Sequence, residues 1–208
     1  MLVQEKRTAV RTVIPEKAYL IILALIAGER IFELILSWRN ARWAFARGAV
    51  EVKQRHYAFM VAFHSLFLIS CATESVLRQR TFPAIVAWGA LAFAVLAQAL
   101  RYSAVWTLGH RWNTKVIVQP GEEPVTTGLY RWIRHPNYLA IVLEMVAIPM
   151  IRGAWIVALV FSVVNLALLA VRISVEERGL GEAYAKAFAS RPRFIPKLSV
   201  DTRDSKHT

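Results

Sequence analysis

The feature that most constrains this chain is the grouping of its apolar residues into blocks of about twenty, separated by short basic segments. An α-helix needs a block of that length to cross a hydrocarbon core of roughly 30 Å at 1.5 Å per residue. The 208 residues are 56% hydrophobic and have a mean hydropathy of +0.40, above the usual composition of soluble domains. The pattern predicts an all-α, polytopic membrane protein.

Five apolar blocks are predicted to cross the membrane. The last two are separated only by Arg152 and Gly153, which predicts a tight antiparallel hairpin. Beyond it, Leu180, Tyr184 and Phe188 recur at every fourth residue and predict a C-terminal helix. We expect that helix to lie along the membrane surface or over a site. The predicted spans are residues 18–38, 57–76, 82–108, 136–151 and 154–175.

The distribution of lysine and arginine predicts the orientation of the spans. Seven of these residues fall on the side of the N-terminus, and eighteen fall on the side of the C-terminus and the two long loops. Because cytoplasmic segments carry the excess of basic residues, we expect the C-terminus in the cytoplasm and the N-terminus outside. The net charge of +12 then reflects membrane topology. Nucleic-acid binding, which needs a contiguous basic surface on a soluble fold, is disfavoured.

Glu29, Arg30 and Glu33 in the first predicted span and Glu144 in the fourth are charged residues inside the membrane region, where such residues usually have a function. Glu29 and Glu33 share a helix face beside Arg30, so pairing among the three is as reasonable as catalysis. Glu144 lies two turns into the fourth span, where it could reach the floor of a site at the helix start.

The sequence offers no set of metal ligands. The single cysteine, Cys71, excludes an internal disulfide and a multi-cysteine metal site, and it is expected to pack in a helix. His56 and His64 lack a matching third ligand, so packing or hydrogen bonding is the favoured interpretation.

The segment GLYRWIRHPNYLA, residues 128–140, places charged and aromatic side chains against the start of the fourth span. Pro136 suits the first turn of a helix and keeps His135 out of the helical conformation. Arg134 and His135 are therefore expected at the cytoplasmic mouth of this span, beside a helix N-terminus that can bind a carboxylate. Interfacial anchoring is the alternative, and it is favoured for Trp132.

A second charged group ends the fifth span. Arg172 and Glu176 are four residues apart and share a helix face, with Glu177 beside them; a solvated helix end is the alternative. The hairpin brings this group to the same face as residues 134–138. The sequence thus predicts a polar pocket at the membrane surface, with the C-terminal segment as its lid. The preceding polar run RWNTK, residues 111–115, is expected to contact a cofactor or lipid head groups.

These motifs together resemble the isoprenylcysteine carboxyl methyltransferase family of integral membrane enzymes, and the related phospholipid methyltransferases are similar here. The likeness covers residues 108–198. It rests on Gly-x-Tyr-x-x-x-Arg-His-Pro-x-Tyr, a hairpin, Arg-x-x-x-Glu-Glu and a helix that ends in prolines. It implies S-adenosylmethionine as the methyl donor and a lipophilic acceptor methylated at the cytoplasmic face. With few spans, the chain looks like a compact bacterial member in the inner membrane.

The resemblance implies a role for each matching residue. Arg172 would face the acceptor, and Arg172 and Glu176 are the predicted catalytic residues. Glu144 and Arg193 are predicted to bind substrate; Arg193 departs from the family, since many members have an apolar residue there. The predicted cofactor-binding residues are Tyr130, Arg134, His135, Pro136, Tyr138, Glu176, Glu177 and Tyr184.

Three parts of the chain follow from this interpretation. Residues 1–107 hold the first three spans, 108–198 form the methyltransferase core, and 199–208 are expected to be a disordered tail.

An arginine can place an anionic oxygen for methyl transfer without a strong base.

Both the acceptor and the function class have alternatives. The acceptor could be a carboxylate, the acidic hydroxyl of a long-chain pyrone or phenol, or a lipid amine. An NADPH-dependent sterol-type reductase has a similar Arg-His-Pro-x-Tyr segment. A transporter or lipid-binding protein is the third possibility, but broken helices and repeated halves are not evident.

Overall fold

The computed structural model describes residues 13–53, 57–78 and 82–195 of the chain. A short antiparallel pairing joins β1 (Val50–Glu51) to β2 (Ile117–Val118). The rest of the regular structure in this part of the chain is helical, so the all-α class is confirmed. The tail predicted for residues 199–208 lies outside the described residues. The helices are α1 (Glu16–Phe45), α2 (Tyr57–Leu77), α3 (Ala84–Leu108), α4 (Pro136–Met150) and α5 (Trp155–Ala187).

Three helices of the described ranges are long and apolar enough to cross a membrane: α2, α5, and α3 with the 3₁₀ turn that extends it to Arg111. The helix α4 is apolar but has 15 residues, and α1 carries Glu29, Arg30 and Glu33 in its middle. The architecture is that of an all-α membrane protein, and the count of five spans stays a prediction.

The bundle is apolar on its outside as well as inside, as expected for helices surrounded by lipid. Trp106, for example, is 89% exposed and Ile85 is 82% exposed. Between helices, α3 presents small side chains that let α4 approach closely. The buried alanines of α3 are Ala87, Ala90, Ala94, Ala97 and Ala104.

The segments that connect the helices lie at two ends of the bundle. At one end, the predicted hairpin turn is confirmed between α4 and α5, where Gly153 has a φ of 72°. Beside it, Arg152 donates from Nη1 to the carbonyl of Ile14 at 2.7 Å. At the other end lie β1, β2, the start of α4 and the end of α5. The two long loops therefore share a face with the C-terminal segment, as predicted, and the side of the membrane they occupy stays a prediction.

Helix α5 continues beyond its predicted span and bends at Gly181, where φ is 71° and ψ is −160°. This backbone conformation is essentially restricted to glycine. Beyond the bend, the buried side chains of Tyr184 and Phe188 pack with Tyr130 and Leu180. Two placements were predicted for the helix that carries Leu180, Tyr184 and Phe188. The structure has the one over the site.

Candidate active site

The second half of α5 and the start of α4 meet through Arg172, which is 6% exposed. Its Nε donates to the hydroxyl oxygen of Tyr138 at 2.7 Å, and its Nη2 donates to the carbonyl of Thr114 at 2.6 Å. The hydroxyl of Tyr138 donates in turn to the carboxylate of Glu176. Arg172 and Glu176 are thus linked through a tyrosine. The remaining nitrogen of Arg172, Nη1, lies 3.5 Å from the sulfur of Met60, a weak acceptor, so it keeps donor capacity for a ligand.

His135 is buried at the point where residues 128–140 enter α4. Its ring stacks on Tyr138 with centroids 5.2 Å apart, and its Nε2 is 3.1 Å from Oε1 of Glu177. Arg193 donates to the same carboxylate, from Nε at 3.1 Å and from Nη2 at 2.6 Å. This hydrogen bonding raises the pKa of Arg193. Glu177 therefore connects His135 to the C-terminal segment.

Backbone hydrogen bonds hold the C-terminal segment against the start of α4. The amide of Arg134 donates to the carbonyl of Pro192 at 3.0 Å, and the amide of His135 donates to the carbonyl of Arg193 at 3.1 Å. Nε of Arg134 also donates to the carbonyl of Arg191 at 2.7 Å. The segment that the sequence predicted as a lid thus borders the site.

A cavity of about 450 Å³, the polar cavity, opens between these elements and the loop 110–125. Its size is within the roughly 300–1,000 Å³ of small-molecule sites. Burial raises the pKa of Tyr130 far above its usual range, and the negative charge of Glu176 adds to this, so its hydroxyl stays protonated. The predicted site residues that line the polar cavity are Tyr130, Arg134, His135, Tyr138, Arg172, Glu176 and Tyr184.

A second cavity of about 400 Å³, the membrane cavity, lies between α1, α2 and α5. Apolar residues form most of its walls. Ile31 and Ile69 at its edge are each 60% exposed, so it opens towards the surroundings of the apolar bundle. The two cavities share five wall residues, which are Trp112, Asn113, Asn137, Tyr138 and Arg172.

Four predicted site residues line neither cavity. Pro136 is fully buried in the first turn of α4. Glu177 and Arg193 pair with each other at the outer edge of the site. Glu144 is buried in a cluster of ion pairs inside the bundle. Each of these residues supports the site through its neighbours, and a direct contact with cofactor or acceptor stays a prediction.

The ion-pair cluster that holds Glu144 joins α1, α3 and α4. Arg30 donates to Glu33 at 2.8 Å, to Glu144 at 3.1 Å and to Glu29 at 3.4 Å. The pairing predicted among the charges of the first span is therefore confirmed. Arg101, which the sequence grouped with the basic residues of the following loop, is buried here. It donates from Nε and Nη2 to Glu33, both at 2.6 Å.

His64 and Cys71 both lie on α2. Nδ1 of His64 hydrogen-bonds to the carbonyl of Met60 at 2.8 Å, as predicted, and His56 lies outside the described residues. Cys71 is buried. Within the part of the chain that the structure describes, no three His, Cys, Asp or Glu residues are grouped to hold a metal ion.

The loop between α3 and β2 supplies site residues that the sequence did not assign. Nδ2 of Asn40, on α1, donates to the carbonyl of Trp112 at 2.7 Å. The amide of Thr114 donates to Oγ of Ser37 at 2.9 Å. These contacts aim the carbonyl of Thr114 at Arg172. The signal available beforehand was the polar run RWNTK, whose partners on α1 lie about seventy residues earlier.

Asn137 was also missed, although it stands inside the motif. Its Oδ1 is buried at the shared wall and has no hydrogen-bond partner among the described residues.

The start of α4 has fewer free backbone amides for an anion than the sequence suggests. Pro136 has no N–H, and the amide of Tyr138 donates to the carbonyl of His135 at 3.1 Å. Anion binding at this end of α4 therefore rests mainly on the amide of Asn137.

Comparison with known proteins decides the family. Residues 90–182 match the sequence model of the isoprenylcysteine carboxyl methyltransferase family. A protein-S-isoprenylcysteine O-methyltransferase of Schizosaccharomyces pombe is 31% identical over 115 residues, which cover 52% of this chain and 49% of that enzyme. Residues 90–182 of the chain belong to the isoprenylcysteine carboxyl methyltransferase family. The chain is therefore placed among the membrane methyltransferases.

Two bacterial relatives match a larger part of the chain. The uncharacterized protein YpbQ of Bacillus subtilis is 34% identical over 166 residues, covering 80% of this chain and 98% of the relative. An uncharacterized protein of Haemophilus influenzae is 27% identical over 168 residues, covering 80% of this chain and 97% of the relative. Each matched stretch is longer than residues 108–208, so it also includes part of the N-terminal half of the chain.

Proposed function

We propose that the chain is an S-adenosylmethionine-dependent methyltransferase that methylates an oxygen of a lipophilic acceptor. It acts at the cytoplasmic face of a bacterial inner membrane, with its N-terminus outside. One observation carries this proposal: the polar cavity and the membrane cavity share a wall that contains Arg172. A water-soluble donor and a lipid-soluble acceptor need separate entrances that meet at the reacting atoms.

The residues of the polar cavity fit the proposed cofactor. S-adenosylmethionine carries a carboxylate, an ammonium group and a positively charged sulfur, so its site needs both acidic and basic partners. Glu176 offers a carboxylate, Arg134 a guanidinium and Asn137 an unpaired buried carbonyl oxygen. Tyr130 and Tyr184 offer aromatic faces for the adenine ring. When bound, the cofactor supplies an electrophilic methyl group.

Arg172 is the residue that would place the acceptor oxygen. Its Nε and Nη2 are fixed by Tyr138 and Thr114, so the direction of Nη1 is set before a ligand arrives. A permanently charged guanidinium stabilises an oxyanion and favours the ionised form of an acidic hydroxyl. An acceptor that is already anionic needs orientation and desolvation more than it needs a base.

The Tyr138 hydroxyl keeps two charges in a fixed relation. It accepts from Arg172 on the acceptor side and donates to Glu176 on the cofactor side. Glu176 is therefore held where it can meet a cationic part of the cofactor. This arrangement supports the prediction that Arg172 and Glu176 belong to one catalytic group.

The membrane cavity would admit the acceptor sideways from the bilayer. The carboxylate of an isoprenylcysteine, on which the S. pombe relative acts by its name, is one acceptor of the right kind. The acidic hydroxyl of a long-chain pyrone or phenol is another. Both present one ionisable oxygen to Arg172 and an apolar body to the membrane cavity.

The test is ligand-dependent thermal stability of the full-length protein in detergent. A ligand that binds the folded state at 100 times its Kd adds about 2.7 kcal/mol to the free energy of unfolding. We expect S-adenosylhomocysteine to raise the melting temperature and NADPH to leave it unchanged. Transfer of labelled methyl groups from S-adenosylmethionine into a bacterial lipid extract should follow. Stabilisation by NADPH alone would overturn the proposal in favour of the reductase.

A further inference from the structure

The wall shared by the polar cavity and the membrane cavity is the place where the proposed reactants meet. In the proposed transfer, the acceptor oxygen forms a bond to the methyl carbon, the carbon–sulfur bond breaks, and its electron pair goes to sulfur. The methyl group therefore has to lie between the two cavities when the reaction takes place. The side chains of the shared wall are the ones within reach of it. They are Trp112, Asn113, Asn137, Tyr138 and Arg172.

Four of these five side chains have no unpaired hydrogen-bond acceptor. The side chains of Trp112 and Arg172 donate hydrogen bonds and do not accept them. The hydroxyl oxygen of Tyr138 already accepts from Arg172 at 2.7 Å. Oδ1 of Asn113 accepts from a serine hydroxyl of α1 at 3.4 Å. The unpaired acceptor at this wall is therefore on Asn137.

The side chain of Asn137 has a feature that its surroundings in the fold do not explain. Its Oδ1 is buried and has no hydrogen-bond partner among the described residues. A buried carbonyl oxygen without a partner costs free energy, and a leucine of similar size would avoid that cost. The amide of an asparagine turns readily about its Cβ–Cγ bond, so the oxygen can move to the cavity side. The residue is suited to a partner that arrives with a ligand.

The chemistry of the proposed donor identifies this partner. S-adenosylmethionine has two cationic centres, an ammonium group and a sulfonium. The ammonium group has N–H donors, which suit a carboxylate such as that of Glu176. The sulfonium has no N–H donor, and only its polarised C–H bonds can point at an acceptor. An amide oxygen fits there better than a carboxylate, because a carboxylate is a nucleophile and would compete for the methyl group.

We propose that the side-chain oxygen of Asn137 contacts the sulfonium methyl group of the donor and holds it in line with the acceptor oxygen. The inference rests on the proposed function, because it needs S-adenosylmethionine in the polar cavity. Asn137 precedes Tyr138, whose hydroxyl fixes Arg172. The residue that contacts the methyl group is thus next in the chain to the one that fixes the acceptor's arginine. The start of α4 aligns both reactants.

The experiment compares two ligands of the cofactor site that differ where the methyl group would be. Sinefungin carries a protonated amine there, which can donate to Oδ1, whereas S-adenosylhomocysteine has a neutral sulfur without a substituent. Their affinities for the full-length protein in nanodiscs are measured by calorimetry without acceptor. Asn137→Leu should weaken the binding of sinefungin about tenfold relative to S-adenosylhomocysteine, as for one charge-assisted hydrogen bond.

S-adenosylmethionine itself gives a second ratio against S-adenosylhomocysteine. Its contact to the amide oxygen is a C–H···O contact, which is weaker, so Asn137→Leu should lower this relative affinity about threefold. The affinity for S-adenosylhomocysteine is the internal reference for an intact site. Melting temperatures verify that each variant is folded.

Two other variants at this position separate the oxygen of the amide from its nitrogen. Asn137→Asp keeps an oxygen acceptor and removes the N–H donors, so it should retain or raise the relative affinity for sinefungin. Asn137→Ala removes the amide without adding bulk and should reproduce the loss, which covers a leucine variant that does not fold. Asn165→Leu is the matched control. Asn165 has an unpaired buried Nδ2 and lines the membrane cavity but not the polar cavity, so the wild-type ratios should persist.

Three results would overturn the role of Asn137. They are unchanged ratios in both Asn137→Leu and Asn137→Ala, a loss in Asn137→Asp as large as in Asn137→Leu, and an equal loss in Asn165→Leu. The second result would assign the contact to Nδ2. If none of the three ligands binds the wild-type protein, the proposed function fails and this inference fails with it. Tight binding with unchanged ratios removes the role of Asn137 alone and leaves the proposed function standing.

Discussion

Replacing Arg172 by lysine tests the centre of the proposed site. The guanidinium makes two charge-assisted hydrogen bonds, to Tyr138 at 2.7 Å and to Thr114 at 2.6 Å, and keeps a third nitrogen for the acceptor. A lysine ammonium is a compact point charge and cannot reproduce this planar fork. The substitution retains the positive charge, so it isolates the effect of geometry.

The magnitude follows from the role of the missing donor. Loss of one preorganised donor to a developing or fixed oxyanion costs about 10²–10³ in kcat, or about 2.7–4 kcal/mol. The polar cavity keeps its other walls, so we expect the affinity for S-adenosylhomocysteine to change by less than about threefold, or about 0.7 kcal/mol. The substitution Arg172→Ala, which removes the whole guanidinium, should abolish turnover while cofactor binding largely survives.

The assay pairs single-turnover methyl transfer with equilibrium binding of S-adenosylhomocysteine. Arg178→Lys is the matched control, since Arg178 is an exposed arginine of α5 that bonds to the carbonyl of Ser174 within its own helix. Methyl transfer by Arg172→Lys at the wild-type rate would refute the acceptor role. Parallel losses of cofactor affinity and rate would assign Arg172 to the cofactor instead.

Two further substitutions test the cofactor side and the lid. His135→Ala removes the ring that stacks on Tyr138 and hydrogen-bonds to Glu177; affinity for S-adenosylhomocysteine in calorimetry should fall about tenfold, and an unchanged value would take His135 out of the cofactor site. Gly181→Ala forces a side chain into a conformation reserved for glycine, although an added Cβ meets no atom within 4 Å. It should lower the free energy of unfolding by roughly 1–3 kcal/mol and weaken cofactor binding. Gly89→Ala, in open space without a positive φ, is the control, and equal melting temperatures for the two variants would contradict the role of the bend.

The meeting of the two charged groups could be predicted because it depends on topology alone. Two apolar blocks joined by Arg152 and Gly153 have one geometry open to them, an antiparallel hairpin. That geometry brings the start of the first block to the end of the second. The register of Arg172 and Glu176 followed from helical periodicity. What periodicity did not show is that Tyr138 lies between them, since this depends on the rotation of α4 against α5.

Contacts between segments that are far apart in the chain could not be predicted from the sequence. The carbonyl of Thr114 meets Arg172 because Asn40 and Ser37 on α1 fix the loop, and no local pattern links these positions. Glu144 has the right spacing to point at the site. Its side chain is instead drawn to Arg30 of another helix, because a buried carboxylate needs a counter-charge.

The ion-pair cluster has a consequence for biosynthesis. Arg30 emerges from the ribosome 114 residues before its partner Glu144, and Glu33 emerges 68 residues before Arg101. Until those partners arrive, α1 carries charges that disfavour a stable place in lipid on its own. Helix α1 is therefore among the last helices to reach its final environment, and we expect the membrane insertion machinery to hold it until α3 and α4 are made.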